Sequence, residues 1–221
     1  AIQSIFGTGV LLFGTPLLLL VGYEFQFSLQ ILLPTSILIN IFRLKNKLNK
    51  IDIFSLLPII FSLYLISIQS ININQTIGLI LIFSALKETL PRIEKGLAFI
   101  FKNESFYLII TGIIHGLSNL GGALLSAIIF SKKLSKDSTR ATIASCYLTF
   151  TIIQIITLIF FIGNNSFITP TNILYWLIGI FIFLIVEKNF YVKINEKNMS
   201  SFSQGSFFAL AYFYYLKMQP K

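Results

Sequence analysis

Long apolar windows separated by short polar punctuation run through the whole chain, and no Asp or Glu falls inside any of them. This pattern constrains the fold most. A bilayer-crossing helix takes about 20 apolar residues. The windows are Ile2 to Val21, Phe25 to Phe42, Ile53 to Ile68, Thr76 to Leu86, Phe106 to Phe130, Ala141 to Ile162, Ile173 to Val186 and Phe202 to Leu216. Charged residues make up only 11 % of the 221 residues, against about 25 % in a soluble domain. The chain lacks the polar surface to cover itself in water. A soluble enzyme, a nucleic-acid binder and a disordered tail are excluded. The expected fold is an all-α, polytopic integral membrane protein of about eight transmembrane segments, because helices satisfy their own backbone groups in lipid.

The windows fall into two related halves, 1–95 and 96–221. Each half opens with a glycine-broken helix that leads into a polar-spotted one. An offset of 112 residues lays Gln3 on His115, Gly7 on Asn119 and Gly9 on Gly121. Internal duplication of this kind is the usual build of secondary transporters. Between Lys87 and Glu104, the residues Ile93, Leu97, Ile100 and Phe101 share one helical face and suit an interfacial helix.

The net charge of +9 fits basic loops facing a cytoplasm lined by anionic lipid. The charges pose a puzzle. Basic segments follow windows two, four, five and seven, whereas Ser70 to Gln75 and Gly163 to Thr171 carry no charge. If basic loops lie inside, both ends of the fifth window lie inside, which one crossing does not allow. Either that window enters and returns as a re-entrant hairpin, making the halves an inverted repeat, or the basic loop after it sits outside. The glycines at 116, 121 and 122 favour the hairpin by supplying a break.

The polar content of the windows is neutral. One group holds Gln3, Ser4, Gly7, Thr8, Gly9, Gly14 and Thr15, and the other His115, Gly116, Ser118, Asn119, Gly121, Gly122 and Ser126. Glycine lets the backbone leave helical geometry. A helix restarting after such a break presents unpaired N–H groups and the positive end of its dipole to an anion. Gly7, Gly9, Gly121 and Gly122 would open the backbone, and Gln3, Ser4, His115, Ser118 and Asn119 would bond the substrate. Small residues also serve close helix packing. His115, the single histidine, is a candidate ligand or proton carrier. Asn40 and Gln154 suit a cavity wall or interhelical bonding equally. The lone Cys146 makes no intrachain disulfide, and one His with one Cys builds no metal cluster. No catalytic set is evident, and no cofactor is expected.

The first helix reads Gln3-Ser-Ile-Phe-Gly-Thr-Gly-Val-Leu-Leu-Phe-Gly-Thr-Pro16, and the second copy His115-Gly-Leu-Ser-Asn-Leu-Gly-Gly122. Together with the downstream Arg140-Ala-Thr142, these segments resemble the TauE/SafE family of sulfite exporters and toluene sulfonate uptake permeases. The resemblance covers both halves. It implies a multi-pass transporter of the cell inner membrane that moves sulfur-containing anions such as sulfite, sulfonates, sulfoacetate or thiosulfate. The partners are then a small anion and the bilayer. Gly7-Thr-Gly9 departs from the family's glycine run, as does Asn119-Leu-Gly-Gly122, which puts the substrate in question. The comparison also implies that several residues of the first helix precede Ala1. The alternative is a non-transporting membrane scaffold or assembly subunit whose glycine clusters are packing seams that tolerate alanine.

Overall fold

The computed structural model describes residues 10–43, 57, 59–61, 72–89, 103–132, 134–161, 167–190 and 212. Among them the protein is helical, with no strand. The helices are α1 (Val10–Val21), α2 (Phe25–Arg43), α3 (Ile73–Thr89), α4 (Glu104–Ser118), α5 (Gly122–Ser131), α6 (Lys136–Phe161) and α7 (Pro170–Phe190). Among the described residues, three stretches are long and apolar enough to cross a membrane: Phe25–Arg43, Asp137–Phe160 and Pro170–Asn189. α7 leaves Leu174 55 % and Phe181 66 % exposed. An apolar surface of that extent belongs against lipid.

The helix starts follow from capping residues. Asn72 Oδ1 accepts from Gln75 N, and Asn103 Oδ1 accepts from Phe106 N, each at 3.2 Å. Thr169 Oγ1 accepts from Asn172 N at 3.1 Å, and Pro170 follows at the first helical position, where its missing N–H costs nothing. α1 ends in a Schellman turn. Gly22 takes φ 105°, its N–H reaches Leu19 O, and Tyr23 N reaches Leu18 O.

The hydropathy windows locate α2 within one residue and the centre of α7. α6 begins earlier than Ala141, at Lys136. Thr139 N bonds Ser135 O at 2.8 Å, so the helix extends into the basic segment that hydropathy assigns to a loop. The fifth window is two helices. It breaks only at 119–121; Gly112 and Gly116 stay helical. Gln3, Ser4, Gly7 and Gly9 lie outside the described residues, as do most of the third window, all but Tyr212 of the eighth, and the interfacial segment around Ile93 to Phe101.

α4 and α5 fold back on each other. Tyr107 Oη donates to Leu124 O at 2.8 Å, and Glu104, at the start of α4, forms an ion pair with Lys132, just past the end of α5. At 1.5 Å per residue, α4 is about 22 Å long and α5 about 15 Å, both short of a hydrocarbon core of about 30 Å. The hairpin therefore opens and closes at one end of the molecule.

Other described basic groups fall at the same end. Arg140, early in α6, pairs with Glu187, late in α7, at 2.5 Å. Trp176 Nε1 donates to Gln30 O at 3.2 Å, and Gly179 faces Thr35, so α7 and α2 run in the same direction. α6, which reverses into α7, therefore runs against α2, and the two pack together. Arg43, Lys132, Arg140 and Lys188 all fall at one end, and the Gly22 turn and the turn before Pro170 at the other.

Lys136 opens α6 111 positions after Phe25 opens α2, close to the offset of 112 between the two glycine-rich segments. Pro170 stands 112 positions after Pro58. α2 and α6, which correspond under this offset, run in opposite directions.

Candidate functional site

The site is the break between α4 and α5. α4 stops because Asn119 adopts φ 66°, and its N–H closes on His115 O at 2.7 Å. This is the left-handed cap that glycine usually supplies and Asn tolerates. The sequence suggests that Gly116, Gly121 and Gly122 open the backbone, but the residue that does so is Asn119. Gly121 and Gly122 serve close approach instead. A Cβ on Gly121 would stand 2.5 Å from His115 Cβ and 2.7 Å from Thr111 O. A Cβ on Gly122 would stand 1.2 Å from Tyr147 Oη.

Asn119 ties three parts of the fold together. Its Nδ2 donates to Thr15 Oγ1 of α1 at 3.0 Å, and Gln154 Nε2 of α6 donates to its Oδ1 at 3.1 Å. Ser118 is used locally. Its Oγ donates to Ile114 O at 2.6 Å and accepts from Leu120 N at 3.2 Å. Ser118 thus finishes α4, and Asn119 positions its neighbours with both ends of its amide engaged.

His115 packs against α6. Its ring lies 4.9 Å from that of Phe150 and 5.9 Å, edge on, from that of Tyr147, between centroids. Thr15, His115, Ser118, Asn119, Tyr147 and Gln154 are all completely buried. Gln154 stands within reach of a hydrogen bond to His115, but none of full geometry forms: both His115 ring nitrogens, Tyr147 Oη and Gln154 Oε1 lack a partner at hydrogen-bond distance and angle. Leaving a buried polar group unpaired costs about 1–3 kcal/mol. Native structures carry few such groups, and each calls for a reason. Here four polar atoms from three neighbouring residues share one place, beside the start of α5, the positive end of its dipole.

A second polar line joins α2 to α6. Asn40 Nδ2 donates to Ser36 Oγ at 3.1 Å, Thr151 Oγ1 lies 3.5 Å from Ser36 Oγ, and Thr151 also donates to Tyr147 O at 2.6 Å. Asn40 therefore bonds within its own helix, and Gln154 belongs to the site.

Of the sequence candidates, the structure brings His115, Ser118, Asn119, Gly121 and Gly122 together. It adds Tyr147, which sequence reasoning missed, and Thr15, which stood in the first glycine cluster without an assigned role. Among the described residues, no group of His, Cys, Asp and Glu is placed to hold a metal ion. The chain matches no family model, no curated protein and no solved structure.

Proposed function

We propose that this chain is a secondary transporter of a small anion, drawn from the sulfur oxyanions and organosulfonates, in the cell inner membrane. The observation that carries the proposal is the cluster of unpartnered polar atoms on His115, Tyr147 and Gln154 beside the start of α5. A bound oxyanion would accept from the Tyr147 hydroxyl and an imidazole N–H and would lie at the start of α5, the positive end of its dipole.

The proposed architecture is about eight membrane segments in two halves, 1–95 and 96–221. The halves have opposite orientation and the basic end faces the cytoplasm. Three observations support it: the starts of α2 and α6 lie 111 positions apart, α2 and α6 run in opposed directions, and the described basic groups gather at one end. Transporters built as inverted repeats bind substrate at broken helices near the midplane. Gln3, Ser4, Gly7 and Gly9 would supply the partner break. The resemblance of the two glycine-rich segments to TauE/SafE permeases is what suggests the sulfur class.

Binding tests this directly. The purified protein is melted in detergent with sulfite, thiosulfate, sulfoacetate, taurine, sulfate or chloride. A ligand at about 100 times its Kd stabilises the native state by about 2.7 kcal/mol. At least one sulfur anion is expected to raise the melting temperature, and His115→Ala is expected to abolish the shift. No shift with any of the six would count against anion binding.

One observation favours the scaffold alternative. Gly121 and Gly122 are a tight packing seam. Alanine there is excluded on steric grounds in either case, so glycine substitution does not separate the two readings. Ligand binding does.

A further inference from the structure

The groups that face His115 leave a charge unbalanced when an anion arrives. Beside it stand Thr111 on its own helix, Gly121 just before α5, and Tyr147, Phe150 and Gln154 of α6, and α3 also packs against α4. His115 and Tyr147 are the titratable members, and none is Lys, Arg, Asp or Glu. Glu104 lies eleven residues from His115 along α4, about 16 Å at 1.5 Å per residue, and is paired with Lys132. Arg140 is paired with Glu187. Positions 1–9 carry no charge. The α5 dipole offers about half a positive charge. A full negative charge at this depth requires a further partner.

Resting on the transport reading above, we propose that His115 takes up one proton as the anion enters, so that anion and proton cross together one for one. Imidazole is the side chain that changes charge near neutral pH. As imidazolium both of its nitrogens donate. The described acceptors waiting beside it are Gln154 Oε1 and Tyr147 Oη, neither of which has a partner. One N–H of His115 then satisfies such an acceptor and the other holds the anion, while the Tyr147 hydroxyl donates to the anion in turn. The N–H bond forms as an O–H bond of hydronium breaks on the entry side, and the reverse transfer returns the proton to water on the exit side.

The test uses the full chain in sealed liposomes with the membrane potential clamped at zero. The probes are labelled methanesulfonate and labelled thiosulfate, which stay ionised near neutral pH, so any proton that moves with them rides on the protein. A trapped pH dye reads the lumen. An inward gradient of a transported anion is expected to acidify the lumen. An outside medium one pH unit more acidic is expected to drive about tenfold accumulation of label, the full equivalent of one proton per anion. His115→Gln is expected to lose that accumulation. Label movement by the wild-type chain without acidification overturns proton coupling and leaves transport standing. Acidification that persists in His115→Gln overturns His115 as the carrier. No movement of either label overturns the transport reading itself. If His115→Gln fails to fold, the proton flux of the wild-type chain decides the coupling alone.

Discussion

Gly122→Ala is expected to destabilise the protein by about 3 kcal/mol, at or above the upper end of the usual cost of overpacking a core. The new Cβ would sit 1.2 Å from Tyr147 Oη and 2.4 Å from Tyr147 Cζ. The obstacle is a rigid ring held in the core, not the far end of a flexible chain. α5 and α6 must part, or Tyr147 must leave its place beside His115. Tyr147→Phe gives no relief, because the ring carbon remains in the way. Tyr147→Ala removes the obstacle, so Gly122→Ala added to Tyr147→Ala should cost little more. Thermal melting of the two single variants and the double variant measures that non-additivity. A Gly122→Ala protein that melts like the wild type would show that Tyr147 does not occupy this position.

The second large effect is at Asn119. Replacement by alanine forces a Cβ-bearing residue without a polar side chain to hold φ 66°, at about 1–2 kcal/mol. It also removes the bonds to Thr15 and Gln154. Each is worth about 1 kcal/mol, and more where the abandoned partner stays buried. The expected loss is about 3–4 kcal/mol. Asn119→Gly keeps the backbone geometry and loses only the bonds, so it should lie between the wild type and Asn119→Ala by about 1 kcal/mol or more. The order wild type, glycine, alanine in melting temperature is the result to look for. Equal melting of the glycine and alanine variants would mean that no left-handed residue ends α4.

Much of this arrangement is legible in the sequence. The window from Phe25 matches α2 because both of its ends are marked, by the Gly22 turn and by Arg43. The fold-back of α4 on α5 is foreshadowed by basic residues on both sides of the fifth window together with the glycines inside it. The site is less legible. Asn119 stands out as a polar residue beside glycines. Tyr147 does not, because a tyrosine within the 26 residues of α6 reads as one more apolar position. Its meaning comes from Gly122, on another helix. Thr15 acquires its role from a residue 104 positions away. Gly121 and Gly122 are visible as glycines, but not as places where a Cβ would strike His115 and Tyr147. Local sequence marks where small residues stand; tertiary packing decides whether they bend the chain or admit a neighbour.

The account rests on α4 and α5 entering and leaving by the same face, and labelling of single cysteines tests that most directly. Cys146 is first replaced by serine. Cysteine is then placed at Asn103, before α4, at Ser135, after α5, and at Ile168, before α7; all three positions are exposed. A membrane-impermeant maleimide is applied to vesicles of known orientation. Positions 103 and 135 are expected to react from one side and 168 from the other. Reaction of 103 and 135 from opposite sides would mean that the segment crosses the membrane, and would contradict the hairpin and the site built on it.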